Sequence, residues 1–418
     1  MANSGIKSQS PIVVIGAGVI GLSIAFRLAR IFPDVVLVDR ADPGMDCSYG
    51  NAGHIATEQI FPLASPGTLL KAPRLMFGRN HPLSIRRDYA RQIVPWLTRF
   101  AWASRPSAFK RGTEALRSLQ AEAMNSLTAL CDDAGTTDQL HRRGHMILVE
   151  NPRLEATAKT QLQTLADHGI VADWLSALQV ADIAPELTNN IGAIHVRDTG
   201  HISDPLRLSL GLLDAFTRAG GHLIRDEVQR IEPHTDGDVR LHMSNGELTA
   251  QRIVIAAGAW SRALAAQTGF DVPLDTERGY HVVAEGWRGQ FDIAIASLDR
   301  MTIMTPLAGG LRITGFVEFG GLTLPPSSRR LATLNQHLSD LLPNSQLQTR
   351  SEWMGFRPSL PDHLPVIGRS PDDARVLYAF GHQHLGLTLA GVTADAIAAL
   401  LTDSPAPVDL SPFRVDRF

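Results

Sequence analysis

The sequence predicts an α/β fold, a Rossmann-like nucleotide-binding domain interleaved with an α+β domain built on a mixed β-sheet. Three observations lead there. A strand, a glycine-rich turn and a helix open the chain; apolar strand-like runs resume beyond residue 220; and from Tyr280 to Phe319 short strand-like runs alternate with turns. With 418 residues, 44% of them hydrophobic and 19% charged, the chain can bury a large core and exceeds one ordinary domain.

The first unit is the most explicit. Pro11-Ile-Val-Val-Ile15 is a β-branched run that stops at glycine, the pattern of a strand buried on both faces. Ile20, Ile24, Leu28 and Ile31 then repeat at helical spacing, Pro33 closes the helix, and Val35 to Val38 is a second strand. Between strand and helix stands Gly16-Ala-Gly18-Val-Ile-Gly21, in the setting where GxGxxG has physical meaning: a tight turn, backbone approach to a pyrophosphate, and close helix packing. Asp39, at the end of the second strand, is placed to accept hydrogen bonds from ribose hydroxyls. The adjacent Arg40 raises a 2′-phosphorylated nucleotide as an alternative.

Residues 60 to 130 read as helical, cut by Pro66, Pro73, Pro82, Pro95 and Pro106, with Phe109 to Cys131 the best-defined helix. His145 to Val149 and Ile194 to Val196 read as strands around a helix from Pro152 to Asp167. A helix from Leu206 to Ala219, closed by Gly220-Gly221, leads to Leu223-Ile224, Val228 to Ile231, Val239 to Met243 and Ile253 to Ala257, strands expected to resume the nucleotide-binding sheet. Tyr280 to Phe319 alternates strands and turns, Ser328 to Leu342 is a helix, Val376 to Phe380 a last strand and Leu387 to Leu401 a last helix. The expected division assigns 1–85, 200–275 and 355–418 to the nucleotide-binding domain, and 86–199 and 276–354 to the second.

Several classes are disfavoured. A net charge of −3 offers no global field for nucleic acid. Cys47 and Cys131 have neither CxxC nor Cys/His ligand spacing, against both a disulfide framework and a structural zinc site. Met1 to Ser10 is polar and lacks the apolar core of a signal peptide, so a cytoplasmic location is expected, with peripheral attachment at the inner face of the cell membrane left open. His382 and His384, at i and i+2, lack the carboxylate or cysteine neighbours of a metal clip, so no metal is expected.

Several separated segments now carry a resemblance. They are Ile12 to Gly21 with Asp39; Cys47-Ser-Tyr-Gly-Asn-Ala-Gly53-His54; Gly200-His-Ile-Ser-Asp204-Pro205; Ile253 to Trp260; Arg278-Gly-Tyr280; Gly355-Phe-Arg357-Pro358; and Gly381-His-Gln-His-Leu-Gly-Leu-Thr388. In order and spacing the chain resembles the D-amino-acid dehydrogenase branch of the D-amino-acid oxidase flavoprotein family. The resemblance implies a Rossmann-like FAD-binding domain threaded through a substrate domain, with noncovalent FAD at the junction. It places the cofactor on Gly16, Gly18, Gly21, Asp39, Arg40, the Ser48, Asn51, Ala52 and Gly53 loop, Val228, Gly258, Trp260, and the His384, Leu385, Gly386, Leu387 and Thr388 turn.

It also implies chemistry. Oxidising an amino acid to an imino acid moves a hydride from the alpha carbon to flavin N5, work done by positioning and electrostatics. A guanidinium pins a carboxylate with two parallel hydrogen bonds and stays charged; Arg357 is the first candidate and Arg278 the second. Tyr280 or His281 would add a hydrogen bond, and His54 would bind the amine or accept its proton. The wording of the Asn51 to Glu58 and Gly381 to Thr388 segments resembles dehydrogenases of cyclic D-amino acids such as D-proline or cis-4-hydroxy-D-proline. Broad D-amino-acid activity, a sarcosine-like secondary amine, and a non-catalytic flavin-binding subunit stand as alternatives. Related oxidases use a lysine near the flavin; here lysine occurs only at Lys7, Lys71, Lys110 and Lys159. A quinone, a carrier protein or a partner subunit is therefore expected to receive the electrons.

Overall fold

In a computed structural model, which describes residues 10–77, 82–233, 237–345 and 350–418, the expected opening unit is in place. Ile12–Ile15, the helix Val19–Ala29 and Val35–Asp39 form the βαβ core of a six-stranded sheet. Its order is His222–Arg225, Val35–Asp39, Ile12–Ile15, Arg252–Ile255, Val376–Phe380, Val366–Arg369. The first five strands are parallel and the last is antiparallel. The order runs outward from Ile12–Ile15 to one edge, then restarts on its other side at Arg252–Ile255. That reversal opens a crevice at the carboxyl ends of the two strands, where open α/β sheets bind ligands.

One face of this sheet is covered by the helices Val19–Ala29, Pro106–Ala134, Pro205–Arg218 and Ala390–Leu401, whose Leu22, Leu119, Leu212 and Ile397 are fully buried together. The long helix Pro106–Ala134 thus packs with the nucleotide-binding layer, although the expected division assigns it to the other domain. Its apolar stripe from Ala115 to Cys131 has its partners on these helices. At Gly391 any Cβ would lie 2.5 Å from the backbone of Ser126, so glycine permits the helix contact.

The other face is covered by a correction to the expectation. Val228–Pro233 and Val239–Met243 do not resume the parallel sheet; with Gly246–Ala250 they form a separate antiparallel three-stranded sheet packed on Val13, Val36 and Ile253. The Ser244-Asn245 turn is too short for anything but an antiparallel hairpin.

The second layer is a nine-stranded mixed sheet. Its path is Arg350–Ser359, Asp275–Glu285, Gly310–Phe319, Thr302–Leu307, Ala294–Ser297, His145–Val149, Gly192–Val196 and Ala172–Ser176, with Leu83–Ile85 paired onto Gly310–Phe319. The expected boundary at 355 therefore falls inside a strand. Helix Ser328–Leu341 buries Leu334 and Leu338 against one face. The opposite face looks toward the loop that follows Asp39. A small sheet of His54–Ile55, Gly200–Ile202 and Leu140–His141 ties that loop to both layers.

Candidate active site

The glycine turn is built for close approach. Gly16 has φ +109°, and a Cβ there would stand 2.5 Å from the Ala256 carbonyl oxygen, while one on Gly21 would stand 1.8 Å from the Gly16 carbonyl oxygen. No other residue fits either place without moving backbone. Asp39 accepts hydrogen bonds from the Ala17 amide (2.6 Å) and the Ala41 amide (2.8 Å), fixing the turn to the end of its strand. Ser48 Oγ accepts from the Val19 amide (2.8 Å), which draws the next loop onto the helix N-terminus.

From this crevice a cavity of about 1010 Å³ runs between the two layers. Gly16, Gly18, Asp39, Arg40, Val228, Gly258 and Trp260 line it, with Ser48 and Asn51 of the following loop and Phe356, Pro358, Gly381, Gly386 and Leu387 from later in the chain. Arg40 pairs with Glu227 (2.9 Å) and lies 4.5 Å over the Trp260 ring. A long cavity that begins on a glycine turn and ends against a second domain suits a dinucleotide with another ring system at its far end.

Between the cavity-lining Phe356 and Pro358, Arg357 turns to the other face of its strand, where its guanidinium lies across Gly279. A Cβ on Gly279 would sit 2.4 Å from Arg357 Cζ, so the absent side chain is the space the arginine occupies. Nη1 donates to the Phe316 carbonyl (2.9 Å), and among the described residues no carboxylate pairs with it. On the same face Trp353 fills the places where Cβ atoms on Gly50 and Gly355 would be, and stacks on His281 at 4.9 Å. His281 Nδ1 faces the Gly50 carbonyl (3.2 Å). Burial, with Arg312 nearby, holds its pKa down to about 3.

Arg312, absent from the expected site, is 5% exposed and donates from Nη1 to the carbonyls of Tyr49 (2.8 Å) and Asn51 (2.5 Å). Burial draws it down to about 10 against the opposing pull of Tyr49 and Asp204. Three carbonyls of the Tyr49 to Asn51 loop are thereby held by side chains of one sheet face. The signal for Arg312 was an arginine alone among apolar and small residues from Gly310 to Phe316.

Beside this loop lies a second cluster. His54 Nε2 is 3.1 Å from Glu58 Oε1, and His54 Nδ1 is 3.3 Å from the Gly200 carbonyl. Both ring nitrogens are thus engaged by neighbouring oxygens, and neither is free to meet a substrate amine. Burial alone would raise Glu58, but the charge and hydrogen bond of His54, with His145 behind, bring it down to about 2. The His145 ring lies 4.3 Å from that of His54, and burial, then His54, lower it to about 3, leaving it neutral. Glu58 Oε2 and His145 Nδ1 are buried with no hydrogen-bond partner among the described residues. The ligand atoms of the three residues lie within 4.8 Å of one another, a spacing that suits a cation. Glu58 and His145 were missed because the i, i+4 pair of His54 and Glu58 falls in an irregular loop, and only the sheet brings His145 to it.

Other expected residues are placed differently. Arg278 is fully buried behind the cavity wall of Gly320 to Leu324, paired with Glu318 (3.1 Å) and donating to the Leu324 carbonyl. Tyr280 donates to the same Glu318 (2.7 Å) and accepts from the Ser327 amide, its phenol pushed up to about 12 by burial and Glu318. Both side chains are committed to anchoring the 324–327 turn. Arg278 pairs with Phe356 and Tyr280 with Met354, so strand alternation puts both on the face opposite the one that carries Arg357.

His384 meets Gln59 Oε1 (2.5 Å) and is held near 3 by burial and then by Arg357, whereas His382 meets Thr393 Oγ1 (3.0 Å) and lines the cavity. The two rings point apart. Leu385 packs into the helical core, Thr388 accepts from the Ala56 amide (3.0 Å), and Ala52 is half-buried in the loop.

The comparisons agree with this geometry. Residues 11–400 match the family described as DAO, FAD dependent oxidoreductase. The chain is 30% identical to a D-amino-acid oxidase of Bradyrhizobium diazoefficiens, over 97% of this chain and 98% of that one. Among solved structures it is similar to glycine oxidase from Geobacillus kaustophilus (TM-score 0.73, 22% identity, 98% and 99% of the two chains). It is also similar to L-proline dehydrogenase from P. horikoshii (TM-score 0.74, 17% identity, 99% and 98%). With nearly the whole chain matched to the family and a relative 30% identical along its length, the chain belongs to the DAO family of FAD-dependent oxidoreductases.

Proposed function

We propose that this protein oxidises the Cα–N bond of a small D-amino acid, with D-proline and cis-4-hydroxy-D-proline as the first candidates. The observation that carries the proposal is Arg357: a guanidinium on the strand whose Phe356 and Pro358 line the cavity, seated in the space left by Gly279 and without a carboxylate partner among the described residues. An arginine so placed binds the carboxylate of an amino acid by charge-assisted hydrogen bonds. A flavin-binding subunit without a substrate has no use for it. The relatives named above act, by their names, on D-amino acids, glycine and L-proline, which supports a small amino acid.

Bound FAD supplies the hydride acceptor. Gly16, Gly18, Gly21 and Asp39 would hold its nucleotide part, and the Ser48 to Gly53 loop, clamped by Arg312 and His281, would lie along its length, without a covalent bond. Arg357 orients the substrate by its carboxylate. Glu58, ionised and with Oε2 unpartnered, receives the substrate ammonium beside His145. Trp353 and Phe356 exclude water. A chain with no lysine after Lys159 passes its electrons to a quinone, a carrier protein or a partner subunit instead of oxygen.

The test is anaerobic mixing of the yellow protein with D-proline, cis-4-hydroxy-D-proline, D-alanine, glycine and the L-enantiomers. Bleaching of the flavin band by the D-compounds, fastest for the cyclic ones, is expected. A band unchanged by all of them overturns the proposal. Peroxide released at the rate of substrate oxidation overturns the choice of acceptor.

A further inference from the structure

The segment from Leu63 to Arg111 departs from the rest of the molecule in charge. It holds ten basic residues and one acidic residue, Asp88, in a chain whose totals are 39 and 42. Lys71, Arg74, Arg91, Arg99, Arg105 and Lys110 are exposed, and none has a carboxylate partner among the described residues. The same segment carries five of the thirteen exposed large apolar side chains among the described residues: Leu63, Leu69, Leu70, Val94 and Trp102, with Leu70 85% and Trp102 66% exposed. Leu69 and Leu70 sit on the helix Pro66–Phe77, which has no acidic residue, and Trp102 near the end of the helix Val94–Ala103. The Trp102 ring lies under the Arg105 guanidinium at 3.2 Å, a pair with an apolar body and a charged tip.

Unpaired cations beside exposed leucine and tryptophan are the chemistry of a surface that lies in the plane of an anionic lipid interface, the apolar side chains entering the acyl boundary and the cations facing lipid phosphates. No described helix is long and apolar enough to cross a membrane, so contact would be peripheral. We infer that the helices Pro66–Phe77 and Val94–Ala103, with the exposed residues that flank them, dock the protein on an anionic bilayer surface. The segment's Asp88, Tyr89 and Gln92 line the rim of the cavity with Leu322, so docking sets the mouth of the active site at the lipid interface. The inference does not depend on which substrate is oxidised.

The test is sedimentation of the FAD-loaded protein with vesicles of pure phosphatidylcholine and of phosphatidylcholine containing phosphatidylglycerol. Binding is expected to the anionic vesicles alone, to fall as salt is raised, and to weaken about tenfold in Leu70→Asp and in the double variant Lys71→Gln, Arg74→Gln. Leu178→Ser, an exposed leucine outside the segment, should bind as the parent does. Retained flavin absorbance shows that each variant is folded. Equal binding to both vesicles, no binding at low salt, or a dimer that Leu70→Asp converts to monomer overturns the inference, the last by making the face an interface between copies.

Discussion

Arg357 and Gly279 stand on adjacent strands of the large sheet, and the guanidinium of one occupies the space where the side chain of the other would be, 2.4 Å from Cζ to a Cβ built on Gly279. The pairing fixes where an anionic substrate end must lie. Gly279→Ala displaces the arginine without removing it, so KM for a D-amino acid is expected to rise about tenfold with FAD content unchanged, a loss of roughly 1.4 kcal/mol. Steady-state kinetics with flavin quantitation checks it.

Glu58→Gln keeps the shape of the ammonium site and removes its charge. With Glu58 held down at about 2, the parent carboxylate is ionised at every working pH. The variant is expected to raise KM ten- to a hundredfold, on the order of 1.4 to 3 kcal/mol, with a smaller effect on kcat. An equal fall in kcat and kcat/KM would place Glu58 in the transition state alone. Because Glu58, His54 and His145 also suit a metal ion, elemental analysis of the purified protein belongs with this variant.

Gly21→Ala introduces a Cβ 1.8 Å from the Gly16 carbonyl oxygen, a backbone atom that cannot swing aside. The expected product is colourless or nearly so, read from the flavin band of protein purified alongside the parent. Full flavin content in this variant would separate the glycine turn from cofactor binding.

Four buried histidines, His145, His201, His281 and His382, are each held near 3, chiefly by burial. A folded-state pKa below the unfolded value means that the unfolded chain binds more protons in acid. Their contribution to stability is complete above about 6.5 and is lost as pH falls toward 3, at roughly 1.4 kcal/mol per pH unit for each histidine. Urea midpoints measured from pH 7.5 down to 5 should fall steeply, and His382→Gln should reduce the slope by about one proton. A flat profile would mean that these rings are solvated in the folded protein.

The opening strand, turn and helix could be read from the amino acids because each step has a local cause: β-branched residues, glycines no other residue can replace, and a helical apolar stripe. Val228–Pro233 and Val239–Met243 could not be assigned to a sheet in that way, since a valine-rich strand carries no label for its neighbour and only the short Ser244-Asn245 turn marks the hairpin. Arg278 and Arg357 looked alike because both stand within two residues of a glycine in strand motifs. Strand alternation separates them, since Arg278 pairs in register with Phe356 and reaches Glu318, whereas Arg357 shares the opposite face with Gly279 and has no carboxylate partner among the described residues. Arg312, Glu58 and His145 come together only through the sheet and its loop, at separations no spacing rule covers.

The most direct measurement is the rate of anaerobic flavin bleaching against D-proline concentration in the parent and in Arg357→Ala. The expected result is retained flavin with substrate affinity lowered about a hundredfold, near 3 kcal/mol for an unpaired carboxylate. An Arg357→Ala protein that is yellow, folded and reduced by D-proline with undiminished affinity would contradict the assignment of that guanidinium to the substrate.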